Sequence, residues 1–485
     1  MSEPANPSTL LDTLVVGAGI TGLTLAFDLQ QKSSGTAHPA KVLIAESQSR
    51  VGGRIVTASG DGFLWEEGPN SFAPTPELLQ LAVEVGLKDE LVFADGKLPR
   101  FVYWQGELMP VPMSPPAIVS SKLLTWRGKL RAFFGALGFV PPAMADVGSE
   151  ETVASFFERH LGREVLRRLV EPFVSGVYAG DPRQLSARAA FGRVARMAEA
   201  GGGLVAGAIR TSRQKPKTKA TPDPNVPQPK RGQLGSFRRG LATLPEAIAD
   251  RLGDAVQLNW HLIRVRPTER RTYIAEFSTP DGPKRVEARS VVLTTPTYVT
   301  ADLFDPLHGE IARALRGFVY PSVACVVLGY PTSAFKRPLN GFGNLIPRNQ
   351  GIRTLGTIWS SSLFSGRAPE GWNLLINFIG GTGDPAIAEL EKEEIVRVVH
   401  RDLLKTLLAR DVDPKVLAVH LWKRAIPQYC LGHHQRWEQI DRGLQEFPGL
   451  YLCGNYSDGV AVGDCVRRAR DRAAQIRQYL ASATV

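Results

Sequence analysis

The chain has 485 residues, 43% of them hydrophobic and 22% charged, with a formal net charge of +11. That is the balance of a globular protein with more than one folding unit and a sizeable core. Its four cysteines, Cys325, Cys430, Cys453 and Cys465, show no CxxC spacing, which excludes a disulfide framework and a structural zinc site and leaves reduced thiols. The opening MSEPANPSTLLD lacks a basic segment followed by an apolar run, so no secretory signal is expected. No apolar run reaches the ~18 residues needed to cross a bilayer. The positive charge suits an anionic membrane surface or an acidic ligand, and no nucleic-acid recognition motif accompanies it.

In chain order, Leu14, Val15 and Val16 predict a short strand. Gly17, Gly19 and Gly22 follow in GxGxxG spacing around Ala18, Ile20 and Thr21, and LTLAFDL has helical apolar spacing. KVLIAES predicts a second strand, completing a βαβ unit with a buried parallel sheet. The first glycine permits the tight turn, the second lets the backbone approach a pyrophosphate, and the third lets helix and strand pack closely. The phosphates would meet free N–H groups at the positive end of the helix. Glu46 ends the second strand, where a carboxylate accepts hydrogen bonds from a ribose diol and repels a 2′-phosphate. The pattern therefore points to a dinucleotide other than NADP.

Beyond Asp95, MPVPMSPPAIVSS predicts an extended loop. Lys122 to Phe139 mixes cations with Trp126, Phe133, Phe134 and Phe139, the composition of an interfacial segment or of a buried helix with solvated lysines. Ser149 is the expected N-cap of a helix through ETVASFFERHLG, with Glu150 and Glu151 at its positive end. The basic, proline-rich stretch 211–232 cannot bury enough apolar surface to order itself, and its cations around Arg213–Lys219 suit anionic lipid. SFRRGLATLPEAIADRLG then predicts a helix, and VQLNWHLIRVRP and TYIAEFSTPDGPKRVEARSVVLTTP predict strands joined by a hairpin-like turn. Residues 298–419 mix strands with helices, and the end, LYLCGNYSDGVAVGDCVRRARDRAAQIRQYL, reads strand, glycine turn, helix. Two strand–glycine–helix units at opposite ends of the chain fit one sheet assembled from both termini.

Arg50-Val51-Gly52-Gly53-Arg54 resembles the second glycine motif of flavoprotein oxidases of the amine-oxidase and phytoene-desaturase type. The run from Gly454 through Val460 to Gly463 resembles the turn that approaches the flavin in that superfamily. Three blocks are more specific: LWEEGPNSF (64–72), LPRFVYWQGEL (98–108) and EPFVSGVYAGDPRQLS (171–186). On these, and on QLGSFRRGLATLPEAI and TLGTIWSSSLF, the chain resembles the oxygen-dependent protoporphyrinogen oxidase family of plants and bacteria over nearly its whole length.

The resemblance implies an α/β fold: a Rossmann-like, amine-oxidase-type FAD-binding domain, a mixed α+β substrate domain and a helical membrane-binding domain. The expected boundaries are 1–90, 230–297 and 420–485 for FAD, 91–210 for the helical domain, 211–232 for a flexible basic linker and 298–419 for substrate. FAD would meet Gly17, Gly19, Ile20, Thr21, Gly22, Glu46, Gly52, Gly53, Arg54, Gly68, Val265, Trp422, Gly454, Val460 and Val462. Arg100 would pair with a substrate propionate, and Leu345, Ile358 and Phe378 would sandwich the macrocycle. Gly176 and Ala179 would lie along it through their backbone, and Asn70 would sit between flavin and substrate. No general base and no metal site are assigned. The implied reaction is a six-electron oxidation of protoporphyrinogen IX by dioxygen, in heme or chlorophyll biosynthesis, giving hydrogen peroxide.

Expected partners are the porphyrinogen, dioxygen and an anionic membrane surface, with a homodimer and hand-over to a chelatase as further expectations and no nucleic acid. The implied location is the cytoplasm, peripheral on an inner membrane face, for a bacterial protein, or a plastid or mitochondrial membrane for a trimmed eukaryotic one. The alternatives are a coproporphyrinogen III oxidase with a more polar pocket, a flavin amine oxidase or carotenoid desaturase, and a flavin-bearing binding protein without turnover.

Overall fold

The apolar run Leu14–Val16 ends the strand Leu11–Val16, which lies inside a parallel sheet: Val16 registers with Ala45 on one side and Leu293 on the other. Leu450–Leu452, near the C-terminus, pairs in parallel beyond Leu293. One sheet is thus assembled from both ends of the chain. Its parallel strands Leu11–Val16, Val42–Ala45 and Leu450–Leu452 are largely buried on both faces, as parallel strands covered by helices require. Val15, Ile44 and Val292 pack under Ile20–Gln31 and Val462–Ser482. Leu14, Val16, Val291 and Leu293 pack under Thr297–Phe304 and Gly309–Arg316. The computed structural model describes residues 10–31, 40–141, 150–214 and 223–482.

A second seven-stranded sheet runs in the order Lys415–Trp422, Val323–Pro331, Trp372–Gly380, Thr354–Trp359, Gly343–Leu345, Arg100–Trp104, Glu107–Pro110. One face is apolar toward the helix Lys392–Thr406, through Val326, Leu328, Leu375 and Ile379. The other holds Cys325, Val327, Leu374 and Ile376 against Phe63 and Trp65 of the first half of the chain. Strands Arg100–Trp104 and Glu107–Pro110, expected with the helical segment, join this sheet, and Lys415–Trp422 crosses position 420 without a break. Between them in sequence lies a helical group around Phe156, Phe157, Leu166 and Val174.

Two local expectations are corrected. The helix expected from Glu150 begins at Val153 and is capped by Thr152, whose Oγ1 accepts from the Ser155 N–H at 3.0 Å. Glu151 instead pairs with Arg159 inside the helix (2.6 Å), and Glu150 accepts from the Gly432 N–H (2.6 Å) as a tertiary anchor. Ser149 lies outside the described residues. The expected flexible linker is helical at its start, since Leu204–Gln214 runs through Thr211. At its far end Val226 is 8% exposed and packs into the core of the first sheet, an anchor a free tether lacks. Residues 215–222, with most of the proposed lipid-facing cations, lie outside the described residues.

The Lys122–Phe139 stretch is not a buried helix. In Trp126–Leu137 and just beyond it, Trp126 is 66%, Phe133 58% and Phe139 71% exposed. Among the described residues no helix is long and apolar enough to cross a membrane.

Candidate active site

The strand Leu11–Val16 delivers the glycine turn. Gly17 adopts φ +105°, and a side chain at Gly22 would strike the Gly17 carbonyl, so helix and strand can approach only with glycines there. A Cβ built on Gly19 meets nothing within 4 Å, which leaves open the place where a diphosphate would approach the backbone. Ile20 and Thr21 are buried in the helix's first turn. Gly52 bridges to Gly19, and its N–H donates to the Ala18 carbonyl at 2.8 Å, bringing the second glycine motif onto the first. Arg50 donates to the Gly53 carbonyl (2.9 Å) and stiffens that turn.

Glu46 is 8% exposed. Its carboxylate accepts from the N–H groups of Ala18 (2.7 Å) and Gln48 (2.9 Å) and from the Ser47 hydroxyl (3.3 Å). A carboxylate has about four acceptor positions, so one stays available to a ribose hydroxyl. Val265 is fully buried among Leu14, Val16 and Ala45, so only its backbone can reach a cofactor.

Arg54 ties the glycine motif to the second sheet. Its Nη2 donates to the Arg424 carbonyl (2.7 Å) and to the Tyr298 hydroxyl (3.2 Å), and its guanidinium lies 4.5 Å from the Trp422 ring. These residues line an open cleft of about 450 Å³ together with His420. Trp422 Nε1 donates to the Glu67 carbonyl (2.7 Å), and the Glu67 carboxylate meets His420 Nδ1 at 2.9 Å, a bond that holds the Glu67 carboxyl below its ordinary range. Gly68 follows, passing beside the Arg54 carbonyl. Asn70 is 6% exposed, and its side-chain amide nitrogen has no partner among the described residues. A buried donor without an acceptor is costly and fits a carbonyl-rich ligand. At the other end of the chain, Leu450–Leu452 leads through Gly454 and Val460 into the helix that starts at Val462. The open ground at Gly19, the spare Asn70 donor and the two helix N-termini suit a dinucleotide with a polar ring.

Strand register shows how the residues expected on the substrate side are arranged. Arg100 pairs with Gly343, Gly343 with Ile358, and Ile358 with Ile376. Leu345 pairs with Gly356, and Gly356 with Phe378. Phe378 pairs with Cys325, and Cys325 with His420; Val323 pairs with Trp422. Paired residues share a face, so Arg100, Leu345, Ile358, Phe378, His420 and Trp422 project from one face of the sheet. Five strand spacings separate Arg100 from Trp422, roughly 24 Å. Arg100 is half-buried, 5.3 Å from the Phe342 ring, with no ion pair among the described residues. The helix Glu171–Tyr178 packs Gly176 directly on Leu345. Ala179 ends that helix at φ +54°, 3% exposed beside Phe378, so only its backbone is offered.

Sequence reasoning missed two features. His420 with Glu67 is one. The other is a buried pair, Glu66 (1% exposed) and Arg367 (2% exposed), 3.5 Å apart between the two halves of the molecule. Burial pushes the Glu66 carboxyl up to about 7, against the opposing hydrogen bonds from Thr57 and Leu241 and the charge of Arg367. Burial likewise pushes Arg367 down. Neither pair has a local signature, because its members are hundreds of residues apart.

The description "flavin containing amine oxidoreductase" matches residues 20–477. The chain is 46% identical to the chloroplastic protoporphyrinogen oxidase of Oryza sativa subsp. japonica, over 98% of this chain and 90% of that protein. It is 30% identical to the coproporphyrinogen III oxidase of Bacillus subtilis, over 97% and 98%. A solved structure from Exiguobacterium sp. 255-15, provisionally designated a protoporphyrinogen oxidase, superposes with a TM-score of 0.78 at 24% identity, covering 98% of this chain and all of that one; this likeness concerns the fold. The glycine turns, the orphan donor and these likenesses agree: the chain belongs to the flavin containing amine oxidoreductases and, within them, to the protoporphyrinogen oxidases, with FAD as cofactor.

Proposed function

We propose that the chain oxidises protoporphyrinogen IX to protoporphyrin IX, with dioxygen as final acceptor and hydrogen peroxide as by-product. Bound FAD supplies the two-electron redox chemistry. The carrying observation is the single sheet face that presents, at one end, an arginine with no ion pair among the described residues, apolar walls in the middle and Trp422 at the end next to the glycine motifs. Arg100 binds a propionate through a charge-assisted, bidentate pair. Leu345, Ile358 and Phe378 hold the flat ring system by apolar contact and stacking. The backbone of Gly176 and Ala179 follows the ring edge. Asn70 offers a neutral donor between ring and flavin, where a charge would cost desolvation.

Coproporphyrinogen III carries four carboxylates, and Arg100 is the only lysine or arginine among the six residues named on this face. Protoporphyrinogen IX and coproporphyrinogen III are supplied separately to purified protein, and porphyrin fluorescence and peroxide are followed. Protoporphyrin formed several-fold faster supports the proposal; the reverse order makes the chain a coproporphyrinogen oxidase.

The exposed aromatics of Trp126–Leu137 with Arg127 and Lys129 support attachment to one leaflet of an anionic membrane. Vesicles rich in anionic lipid should sediment the protein, and W126S/F133S/F139S should release it; equal sedimentation of both would exclude this helix as the attachment site.

A further inference from the structure

The C-terminal turn is gripped through its carbonyl oxygens. Arg468 donates to the carbonyls of Gly454 (2.6 Å) and Gly459 (3.0 Å). The Tyr429 hydroxyl donates to the Asn455 carbonyl (2.6 Å). His433 Nε2 lies 3.0 Å from the Ser457 carbonyl, and since a carbonyl only accepts, this nitrogen carries the proton. Tyr429 is 3% and His433 1% exposed, with ring centroids 4.5 Å apart, so neither is free to swing away.

The grip has its own foundation. The Ser186 N–H donates to the Tyr429 carbonyl (2.8 Å), the Leu431 N–H to the Gln184 carbonyl (3.0 Å), and Gln428 Nε2 to the Tyr178 carbonyl (2.7 Å). The gripping segment is therefore fastened to the helical group that carries Gly176 and Ala179.

Four carbonyls of the turn are thus drawn onto three side chains. The N–H groups of Val460, Ala461 and Val462 donate to no acceptor among the described residues. They open a helix of 21 residues, whose dipole adds partial positive charge at the same place.

We propose that Arg468, Tyr429 and His433 are positioning residues for the flavin. By fixing the carbonyls, they aim the amides of residues 460–462 at the N1–C2 carbonyl edge of the ring, where negative charge gathers on reduction. The grip raises the preference for reduced over oxidised flavin. The proposal rests on the flavin lying against this turn, and not on which porphyrinogen is the substrate.

The test is the two-electron midpoint potential of FAD in the holoenzyme, from anaerobic titration against a reference dye, with FAD content measured in parallel. Arg468→Lys keeps the charge but cannot span two carbonyls. Tyr429→Phe removes one hydroxyl and leaves the buried ring in place. Both should keep FAD. Arg468→Lys should lose about tenfold in the reduced-to-oxidised ratio, about 30 mV for a two-electron couple; Tyr429→Phe should shift less, with the same sign. Wild-type potentials in both variants, with FAD bound, overturn the proposal. If Arg468→Lys fails to fold, Tyr429→Phe decides alone: a lowered potential supports the grip and an unchanged one overturns it. A wild-type protein that takes up no FAD would overturn the cofactor reading as well.

Discussion

The two seven-stranded sheets build their halves of the site by different means. The first places glycine turns after the strands Leu11–Val16 and Leu450–Leu452 and offers backbone: open ground at Gly19 and the amides of residues 460–462, which have no acceptor among the described residues, beside the carboxylate of Glu46. The second offers a face of side chains drawn from five strands, with Arg100 and Trp422 at its two ends. A backbone site tolerates almost no change in shape, because the missing Cβ atoms are the site. A side-chain face can lose one member and keep its frame. Disruption in the first sheet should therefore abolish cofactor binding, and disruption in the second should change turnover in protein that stays yellow.

The largest effect is expected from Gly22→Val, which drives a side chain into the Gly17 carbonyl. The purified variant should show no flavin absorbance; a yellow, active product would break the contrast at its root. Next is Glu66→Gln, at the seam between the sheets. A carboxyl held at about 7 in the folded protein and near 4.5 when unfolded binds its proton more tightly in the folded state. Wild-type stability should fall as pH rises from 4.5 to 7 and level off above, whereas the glutamine variant lacks this component. Relative to wild type the variant should gain roughly 3 kcal/mol across that window, read from denaturant unfolding at several pH values. Parallel curves would show that Glu66 titrates normally.

Arg100→Ala should retain FAD and lose about 10- to 100-fold in kcat/KM, the worth of a charge-assisted hydrogen bond of about 1.5–3 kcal/mol. Loss of flavin in this variant would assign Arg100 to the wrong half. The smallest effect is at the periphery: Thr152→Ala removes a helix cap and should cost about 1 kcal/mol of stability, with turnover by the remaining folded enzyme unchanged.

The same contrast explains what could be read from the chain. Gly17 to Glu46 is a local pattern whose meaning comes from glycine geometry and strand–helix order, so the first sheet was legible from residues alone. Arg100, Leu345, Ile358 and Phe378 have no such pattern; a half-buried leucine or phenylalanine reads as core, and only family likeness singled them out. Register puts them on one sheet face, and register depends on pairings between strands far apart in sequence. Glu66 with Arg367, and Glu67 with His420, were invisible for that reason. Thr152 was passed over for Ser149 because both can cap, and sequence does not show that Glu150 is held by the distant Gly432 N–H or that Glu151 pairs with Arg159 of the helix itself.

The central claim is that a flavin held by the backbone of one sheet is reduced by a porphyrinogen held on the face of the other. Anaerobic mixing of the yellow protein with protoporphyrinogen IX, followed at the flavin band and by porphyrin fluorescence, tests it directly. The account expects the yellow colour to bleach in one phase that coincides with the start of porphyrin formation, and to return when oxygen is admitted. A flavin that stays oxidised while porphyrin forms, or that bleaches without any oxidation of the porphyrinogen, would contradict it.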